Sequence, residues 1–461
     1  MKLKIEKLIF EGFGLGRSFV DSQDDKKSIP IFVRKSVPGD ELEVEIIKDK
    51  KSYKEGVIKK IIKPSEYRVE PPCPYFDECG GCEHQNIDYE NQLKFKGEIF
   101  EETLSRAGLN IKSNPIIAGS DNPFFYRNSI RFFFVQKTEG ISFARHNYLY
   151  DKGYVEVESC LLQSETCNEI LKKMKELLNS KTTPPAGEAG IRKSELGSLW
   201  QLKIREGKFT SELMIEIITS ADYLPEQKGI VNTLKDIPGV KSIYHTVAPG
   251  KSLKQMKRRL IFGSPIISEK IGKFKFQISP ESFFQTNSLG VETLYNVIKK
   301  LAKVEVGERI LDLFCGTGSI GIYLSTIAKK VIGVEIVPEA VRDAKDNARI
   351  NNIHNCEFIK SDANNLLASL EIRNSGLEIH DYEIIVLDPP RAGLTKDLIN
   401  KLSAISEDQR VVYTSCNPAT FARDIKEFEK YNIELLEVQP IDMFPQTHHI
   451  ECVGLLEKRS I

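Results

Sequence analysis

The sequence predicts an α/β protein whose main domain is a Rossmann-like, mostly parallel, doubly wound sheet, preceded by an OB-like β-barrel and an α+β middle domain. Three observations indicate this order. Short strand-like runs between turn residues fill the first 63 residues, a cysteine-rich stretch follows, and from about residue 270 apolar strands alternate with helical segments. The predicted domain boundaries are 1–63, 64–268 and 269–461.

Length, charge and hydropathy exclude several classes of protein. At 461 residues the chain is too long for one ordinary domain. It shows neither a secretory leader nor an apolar run long enough to span a membrane, so we expect a cytoplasmic protein with no membrane partner. The formal net charge is +0, yet Lys48–Lys63 and Lys251–Arg259 are locally basic. Either stretch can grip phosphates or be an ordinary solvated face. We take a monomer as the default oligomeric state.

The first domain and the segment after it have distinct local patterns. Gly12, Gly14 and Gly16 indicate a turn, and the alternation of Leu42, Val44 and Ile46 is typical of a strand. A helical pattern then runs from Tyr89 to Ala107. We expect a helix near 89–118 that packs on the third domain.

A glycine-rich turn follows the first strand of the third domain. The segment LDLFCGTG (residues 311–318), taken with Gly321, reads G-x-G-x-x-G. Glycine lets the backbone approach a ligand closely at the carboxyl end of a strand. The next strand ends at Glu335, where a carboxylate can bind both hydroxyls of a ribose. These features fit a nicotinamide dinucleotide and S-adenosylmethionine equally well.

An acidic residue before paired prolines separates these two ligands. The segment DPPR (residues 388–391) ends the fourth strand, and paired prolines give a rigid loop over a ligand pocket. This arrangement resembles that of S-adenosylmethionine-dependent nucleic-acid methyltransferases. The two motifs together favour S-adenosylmethionine as the ligand.

A cysteine lies at the end of the next strand, beside the same edge. Cys416 follows VVYTS and precedes a turn-forming Asn-Pro pair. A buried cysteine is often a small core residue, but this place at a strand end favours a nucleophile. Such a site should favour the thiolate. Glu451 is the best candidate for a general base, with the adjacent His448 and His449 as alternatives.

Five motifs together resemble the RNA 5-methyluridine methyltransferase family. They are FFQTN (283–287), DLFCGTG (312–318), DPPR (388–391), SCNP (415–418) and FPQTHHIE (444–451). The likeness is greatest to the iron–sulfur members that modify 23S ribosomal RNA. It covers nearly the whole chain, because residues 1–63 resemble the TRAM RNA-binding domain of these enzymes.

The resemblance implies an activity and a set of site residues. Cys416 would add to carbon 6 of a uridine, carbon 5 would take the methyl group, and Glu451 would remove the proton from carbon 5. The contacts implied for S-adenosylmethionine come from Gln285, Phe314, Glu335 and Asp388, with Asp362 near the adenine as a weaker addition. Family members often have Asn where this chain has Ser319, so no side-chain contact is carried over from that position.

Four cysteines form a candidate metal site. Cys73, Cys79 and Cys82 are clustered, and Cys160 or Cys167 can supply a fourth thiolate. By spacing alone, zinc and an iron–sulfur cluster both remain open. The resemblance implies a [4Fe–4S] cluster on Cys73, Cys79, Cys82 and Cys160, with a structural or RNA-positioning role.

The substrate implied is RNA, with 23S ribosomal RNA favoured and transfer RNA as the alternative. Three other functions remain to be tested. A methyltransferase acting on an exocyclic nitrogen would not need Cys416. A nicotinamide oxidoreductase would bind NAD. A pure RNA-binding module would bind RNA and catalyse no reaction.

Overall fold

The structure is a computed structural model. It describes residues 1–18, 29–137, 140–148, 153–182, 197–252, 256–365 and 379–460. No helix in this described part of the chain is long and apolar enough to cross a membrane.

The first five strands close into a small barrel with neighbour order β1-β2-β3-β5-β4. They are β1 (Lys2–Ile9), β2 (Phe13–Ser18), β3 (Ile31–Arg34), β4 (Glu41–Asp49) and β5 (Lys54–Lys63). Alternate residues point inward, as the period of a strand requires. The buried set is Leu3, Ile5, Ile31, Val33, Leu42 and Val44.

The predicted glycine turn in the barrel is wrong in part. Gly12 lies in the turn before β2 with φ +77, but Gly14 and Gly16 lie inside β2. The reason is close packing. A Cβ at Gly14 would come 2.1 Å from the Ser36 Oγ, and one at Gly16 would come 2.6 Å from the Leu3 Cδ1.

A helix and a short strand join the start of the chain to the third domain. Helix α1 (Tyr89–Arg106) is capped by the preceding Asp88, whose side chain accepts a hydrogen bond from the Asn91 N–H. It ends well before the predicted limit near residue 118, where β6 (Ile117–Ala118) instead pairs in parallel with a strand of the third domain. The apolar face of α1 packs into the same core as Phe421 and Ile425. The helix thus contributes to the apolar core of the third domain.

The middle of the chain forms a seven-stranded sheet of order β13-β12-β11-β10-β7-β8-β9. Its strands are β7 (Ser129–Lys137), β8 (Gly140–His146), β9 (Tyr154–Glu156), β10 (Leu199–Glu206), β11 (Leu213–Thr219), β12 (Val240–Val247) and β13 (Lys257–Gly263). Helices α2 (Glu165–Thr182) and α3 (Gln227–Leu234) contribute to its apolar core. A hairpin of β14 (Ile267–Ile271) and β15 (Phe274–Ile278) follows.

The third domain is built on an eight-stranded sheet of order β18-β17-β16-β19-β20-β22-β21-β6. Its other strands are β16 (Arg309–Leu313), β17 (Lys330–Glu335), β18 (Cys356–Lys360), β19 (Ile384–Leu387), β20 (Arg410–Ser415), β21 (Ile433–Asp442) and β22 (Glu451–Lys458). Strands β16 to β20 pair in parallel, whereas β22 runs antiparallel to β20 and β21. The predicted mostly parallel sheet is confirmed.

Helices lie between several of these strands. They are α4 (Ser288–Ala302), α5 (Ser319–Leu324), α6 (Pro338–Ile350), α7 (Lys396–Leu402) and α8 (Pro418–Glu429). Two apolar clusters contain side chains of the strands and of these helices, so the sheet has a covered core. Because the strands are parallel, their carboxyl ends open onto one common edge.

Candidate functional site

Five of the predicted site residues lie at the carboxyl edge of the third-domain sheet. Each is the last residue of a parallel strand or lies one or two residues beyond it. The set is Phe314 after β16, Glu335 in β17, Asp362 after β18, Asp388 after β19 and Cys416 after β20. The sheet order therefore places side chains that are far apart in sequence along a single edge.

The glycine turn wraps the carboxylate at the end of β17. The Gly316 N–H donates to Glu335 Oε2 at 3.1 Å, and the Val337 N–H donates to Oε1 at 2.8 Å. Phe314 has φ +64, an uncommon conformation for a residue with a side chain. Strain of this kind, about 1–3 kcal/mol, is typical of ligand sites. Glu335 is thus held at the turn where a ribose would approach.

Gln285 and Asp388 come together across two segments of the chain. The Gln285 Nε2 lies 3.5 Å from the Asp388 Oδ2. Asn128 of the middle region donates to the Gln285 carbonyl at 2.7 Å, so the segment that bears Gln285 is held from outside the third domain. Burial raises the pKa of Asp388 to about 7.

Asp362 lies at the same edge but in its own local arrangement. Its Oδ1 accepts hydrogen bonds from the backbone N–H and the side-chain amide of Asn364, both at 2.9 Å. Within the described residues, no hydrogen bond joins Asp362 to Glu335 or Asp388. Its predicted place near the adenine stays a prediction.

Cys416 and Glu451 are brought side by side by strand register. Strand β22 runs antiparallel to β20, and Ser415 pairs with Cys452. The residue after Ser415 and the residue before Cys452 therefore lie next to each other at the carboxyl edge. Glu451 is 3% exposed, and its pKa is raised well above the usual value by burial and by Asp388, while Arg391 opposes the rise.

The expectation that the site favours the Cys416 thiolate is wrong for the protein alone. Burial raises the pKa of this thiol to about 11, and the charges of Glu451 and Asp388 add to the rise. Arg391 acts in the opposite direction. The physical reason is that a half-buried thiol between two carboxylates gains more from staying neutral than one arginine can offset.

Arg391 also contacts a histidine of the motif that contains Glu451. Its Nη2 lies 3.3 Å from the His449 Nε2. Burial, and then the charges of His448 and Arg391, lower the pKa of His449 to about 3. His449 is therefore neutral near neutral pH and is a poor proton acceptor.

Comparison with known proteins identifies the family. The family model for tRNA (Uracil-5-)-methyltransferase matches residues 252–459. An uncharacterized RNA methyltransferase of Halalkalibacterium halodurans is 35% identical over 100% of this chain and 97% of its own. The chain belongs to the RNA uracil-5-methyltransferase family. It is an RNA methyltransferase that uses S-adenosylmethionine.

Two further relatives agree with this family assignment. An uncharacterized RNA methyltransferase of Clostridium tetani is 35% identical over 92% of this chain and 91% of its own. The solved structure of Pyrococcus abyssi tRNA (uracil-54, C5)-methyltransferase in complex with S-adenosyl-L-homocysteine is 29% identical, covers 99% of this chain and 100% of its own, and has a TM-score of 0.74.

One buried acid of the methyltransferase was not singled out from the sequence. Asp312 lies fully buried beneath the glycine turn, where its Oδ2 accepts from the Gly321 N–H at 3.1 Å. Burial, with the charges of Asp388 and Glu335, raises its pKa to about 8. Asp312 begins the DLFCGTG motif, but its place inside a strand gave no signal that its carboxyl group would be fully buried.

The four predicted cysteine ligands line one cavity in the methyltransferase. Cys73, Cys79, Cys82 and Cys160 surround a space of about 30 Å³, together with Arg127 and Arg145. Cys167, the alternative fourth ligand, is not among the lining residues and lies in the core of the middle sheet. In the described part of the chain, no three His, Cys, Asp or Glu side chains are placed so that they could hold a metal ion.

Proposed function

We propose that this enzyme methylates carbon 5 of a uridine in RNA through a covalent adduct between Cys416 and carbon 6. The observation that carries the proposal is the pairing of Ser415 with Cys452, because it sets Cys416 beside Glu451 at the edge that also bears Asp388. A thiol beside a buried carboxylate is the pair that this chemistry requires.

The reaction divides into three steps. The Cys416 thiolate adds to carbon 6 of uracil, and the ring becomes an enolate. Carbon 5 of the enolate attacks the methyl group of S-adenosylmethionine, and S-adenosylhomocysteine leaves. A base then takes the proton from carbon 5; its electron pair forms the double bond between carbons 5 and 6, and the thiolate is expelled.

The charges around the site support Glu451 as the base. A raised pKa makes the Glu451 carboxylate a stronger base than an ordinary glutamate, whereas the lowered pKa of His449 makes its imidazole a weaker one. The positive sulfonium of S-adenosylmethionine would favour both the Cys416 thiolate and the Glu451 carboxylate when it binds at this edge.

The decisive test is the need for the thiol. We expect Cys416→Ala to lose all detectable methyl transfer and to keep binding of S-adenosylhomocysteine, measured by calorimetry. RNA that contains 5-fluorouridine should form a covalent complex with the parent enzyme, since fluorine cannot be removed as a proton. Full activity of Cys416→Ala would contradict the proposal and would favour methylation of an exocyclic nitrogen.

The substrate is proposed as 23S ribosomal RNA, on the resemblance in sequence motifs, with transfer RNA as the second candidate. The solved relative from Pyrococcus abyssi is a transfer RNA enzyme, which supports the second. Mass spectrometry of digested RNA from cells with and without the gene separates them. Loss of 5-methyluridine from a ribosomal fragment supports the first, and loss from transfer RNA supports the second.

We also propose that Cys73, Cys79, Cys82 and Cys160 hold a [4Fe–4S] cluster. Two features of the residues fit it. The four cysteines line one cavity, and a cluster held by four thiolates would lie between them. Two arginines line the same cavity and would balance the negative charge of a cluster held by four thiolates. Such a cluster would crosslink segments that are far apart in sequence.

Metal analysis of protein purified without oxygen tests this site. We expect about four iron and four sulfide per chain, and loss of both in Cys82→Ser. Cys167→Ser is the matched control and should keep them, because Cys167 lies outside the cavity. Zinc without iron or sulfide would contradict the cluster.

The barrel of residues 1–63 is proposed as an RNA-binding domain of TRAM type. A uridine has to leave its stack before carbons 5 and 6 can reach the site, and contacts beside the active site would support that displacement. Removal of the charges at Lys59 and Lys60, which lie on β5, should weaken RNA binding and reduce its dependence on salt.

A further inference from the structure

The loop between β21 and β22 leads directly to Glu451. We call residues 443–450 the base loop. Side chains from distant segments hold its backbone. Lys96 Nζ donates to the Phe444 carbonyl at 3.1 Å, and the Tyr126 hydroxyl donates to the Pro445 carbonyl at 3.1 Å. Gln446 has φ +69, a conformation that residues with a side chain adopt rarely. The surrounding contacts, rather than local preference, therefore determine the shape of the base loop.

The segment after Cys82 makes the densest of these contacts. The N–H groups of Glu83 and His84 both donate to the Gln446 carbonyl, at 3.0 and 3.1 Å. The Glu83 Oε2 accepts from the His448 N–H at 3.3 Å, and the His448 Nδ1 lies 3.3 Å from the same oxygen. One carboxylate thus accepts a hydrogen bond from the backbone of His448 and lies close to its ring.

His448 connects this carboxylate with the reacting groups. Its ring centroid lies 4.1 Å from that of His449, whose Nε2 lies 3.3 Å from an Arg391 nitrogen. Arg391 in turn acts electrostatically on both Cys416 and Glu451. A displacement of His448 would therefore also shift His449 and Arg391, which lie close to Glu451.

The barrel packs closely against Glu83 and His448. A Cβ at Gly12 would come 3.1 Å from the Cβ and Cγ of Glu83 and 3.1 Å from the Cβ of His448. The Phe10 ring meets the His448 ring edge-on, with centroids 6.3 Å apart. Glu83 and His448 thus lie where the barrel meets the base loop.

We propose that Glu83 is a positioning residue, which holds the base loop so that Glu451 reaches the proton on carbon 5. The inference rests on the function proposed above. Without Glu83, the Cys416 thiolate still adds to carbon 6 and carbon 5 still takes the methyl group. Removal of the proton becomes slow, so the bond between sulfur and carbon 6 persists. The distinctive result is a methylated covalent complex that persists without Glu83, whereas the parent enzyme breaks the same complex down.

The test uses Glu83→Ala with uridine RNA and S-adenosylmethionine carrying a labelled methyl group. We expect kcat to fall about tenfold to a hundredfold, as for a misplacement of about 1 Å, while KM for S-adenosylmethionine stays within about twofold. A protein–RNA complex that contains the label should accumulate on denaturing gels. Glu83→Gln keeps an oxygen that accepts from the His448 N–H and should restore most of the turnover.

Two further variants serve as controls and distinguish the possible outcomes. Glu451→Gln should accumulate the same complex, and Glu70→Ala, which removes an exposed acid thirteen residues earlier, should behave as the parent does. If Glu451→Gln yields a complex and Glu83→Ala yields none, the inference is overturned. It is also overturned if Glu83→Ala slows adduct formation on 5-fluorouridine RNA as much as it slows turnover. No complex with Glu451→Gln would instead contradict the base assignment of the proposed function.

Discussion

The pKa values of single side chains define what the site can do before its ligands arrive. Cys416 has a pKa of about 11, and Glu451 and Asp388 have raised pKa values as well. All three shifts begin with burial; the charge of Asp388 adds to the rise at Glu451, and the charges of Glu451 and Asp388 add to the rise at Cys416. The protein alone therefore keeps the thiol of Cys416, the proposed nucleophile, in its neutral form, and the positive charge of bound S-adenosylmethionine would favour the thiolate.

Alkylation of Cys416 should report the effect of Arg391. Because the positive charge of Arg391 lowers the pKa of Cys416, Arg391→Met should slow the reaction of this thiol with iodoacetamide at pH 8 by about two- to fivefold. In the parent, the rate should rise with pH towards a midpoint near 11. Mass spectrometry of the Cys416 peptide gives the rate. Arg349→Met, an exposed arginine on α6, should leave it unchanged. Equal rates in both variants would exclude the proposed charge effect.

Asp312 should make the stability of the protein depend on pH. Its folded pKa of about 8 lies above the ordinary value of 3.8, so the folded state holds a proton that the unfolded state has released. The stability that this bound proton contributes is fully present below pH 3.8 and is lost as the pH rises through about 8. Asp312→Asn should therefore gain stability relative to the parent by about 1–3 kcal/mol between pH 5 and pH 8. Unfolding by urea at both pH values checks this, and an equal shift at both would contradict it.

At the scale of elements, strand ends were predictable and strand partners were not. The five parallel strands and the residues that follow them could be placed from apolar runs and turn residues. Glu451 was the best candidate for a base from its motif, and the family resemblance implied the same role, but its place beside Cys416 depends on the antiparallel register of β20 and β22. The contact of Glu83 with His448 spans 365 positions and carries no local signal. Asp312 was missed because burial depends on what packs against a strand.

The glycine turn offers a matched pair of substitutions. Gly318 has φ +76, and a Cβ there would come 2.6 Å from the Phe358 ring. Gly316 has φ +53, but a Cβ there would meet nothing within 4 Å. Gly318→Ala should therefore cost about 2–4 kcal/mol in the free energy of unfolding, and Gly316→Ala only about 1 kcal/mol. Unfolding by urea without cofactor measures both. Equal losses would mean that the packing at Phe358 does not matter.

At the scale of the molecule, packing contacts cross the predicted boundary near residue 268. Helix α1 and strand β6 precede the middle sheet but pack within the third domain. The buried pair of Lys96 and Asp442, with Nζ and Oδ1 2.7 Å apart, joins the same regions. The packing of helix α1 on the third domain was expected from the sequence, whereas patterning could not show the pairing of β6 with β21 or the ion pair of Lys96 with Asp442.

A single substitution in α1 should test the shared core. Phe100 is 0% exposed and its ring lies 6.5 Å from that of Phe421. Phe100→Ala should destabilise the methyltransferase domain by about 3–5 kcal/mol, measured as the urea midpoint for loss of S-adenosylhomocysteine binding. Phe209→Ala, at a position 52% exposed, is the control. Trp200, the one tryptophan of the chain, lies in β10 and reports the middle sheet. A change confined to Trp200 fluorescence would contradict the shared core.

The pairing of β6 with β21 also has a consequence for biosynthesis. Ile117 and Ile441 are partners in the finished sheet, but the ribosome makes one long before the other. Until the last part of the chain emerges, the apolar face of α1 has no catalytic core to pack on, and such exposed surface invites aggregation. Slow folding is expected from contacts of this length. A nascent chain that stops short of β21 would therefore be a substrate for chaperones rather than a partly active enzyme.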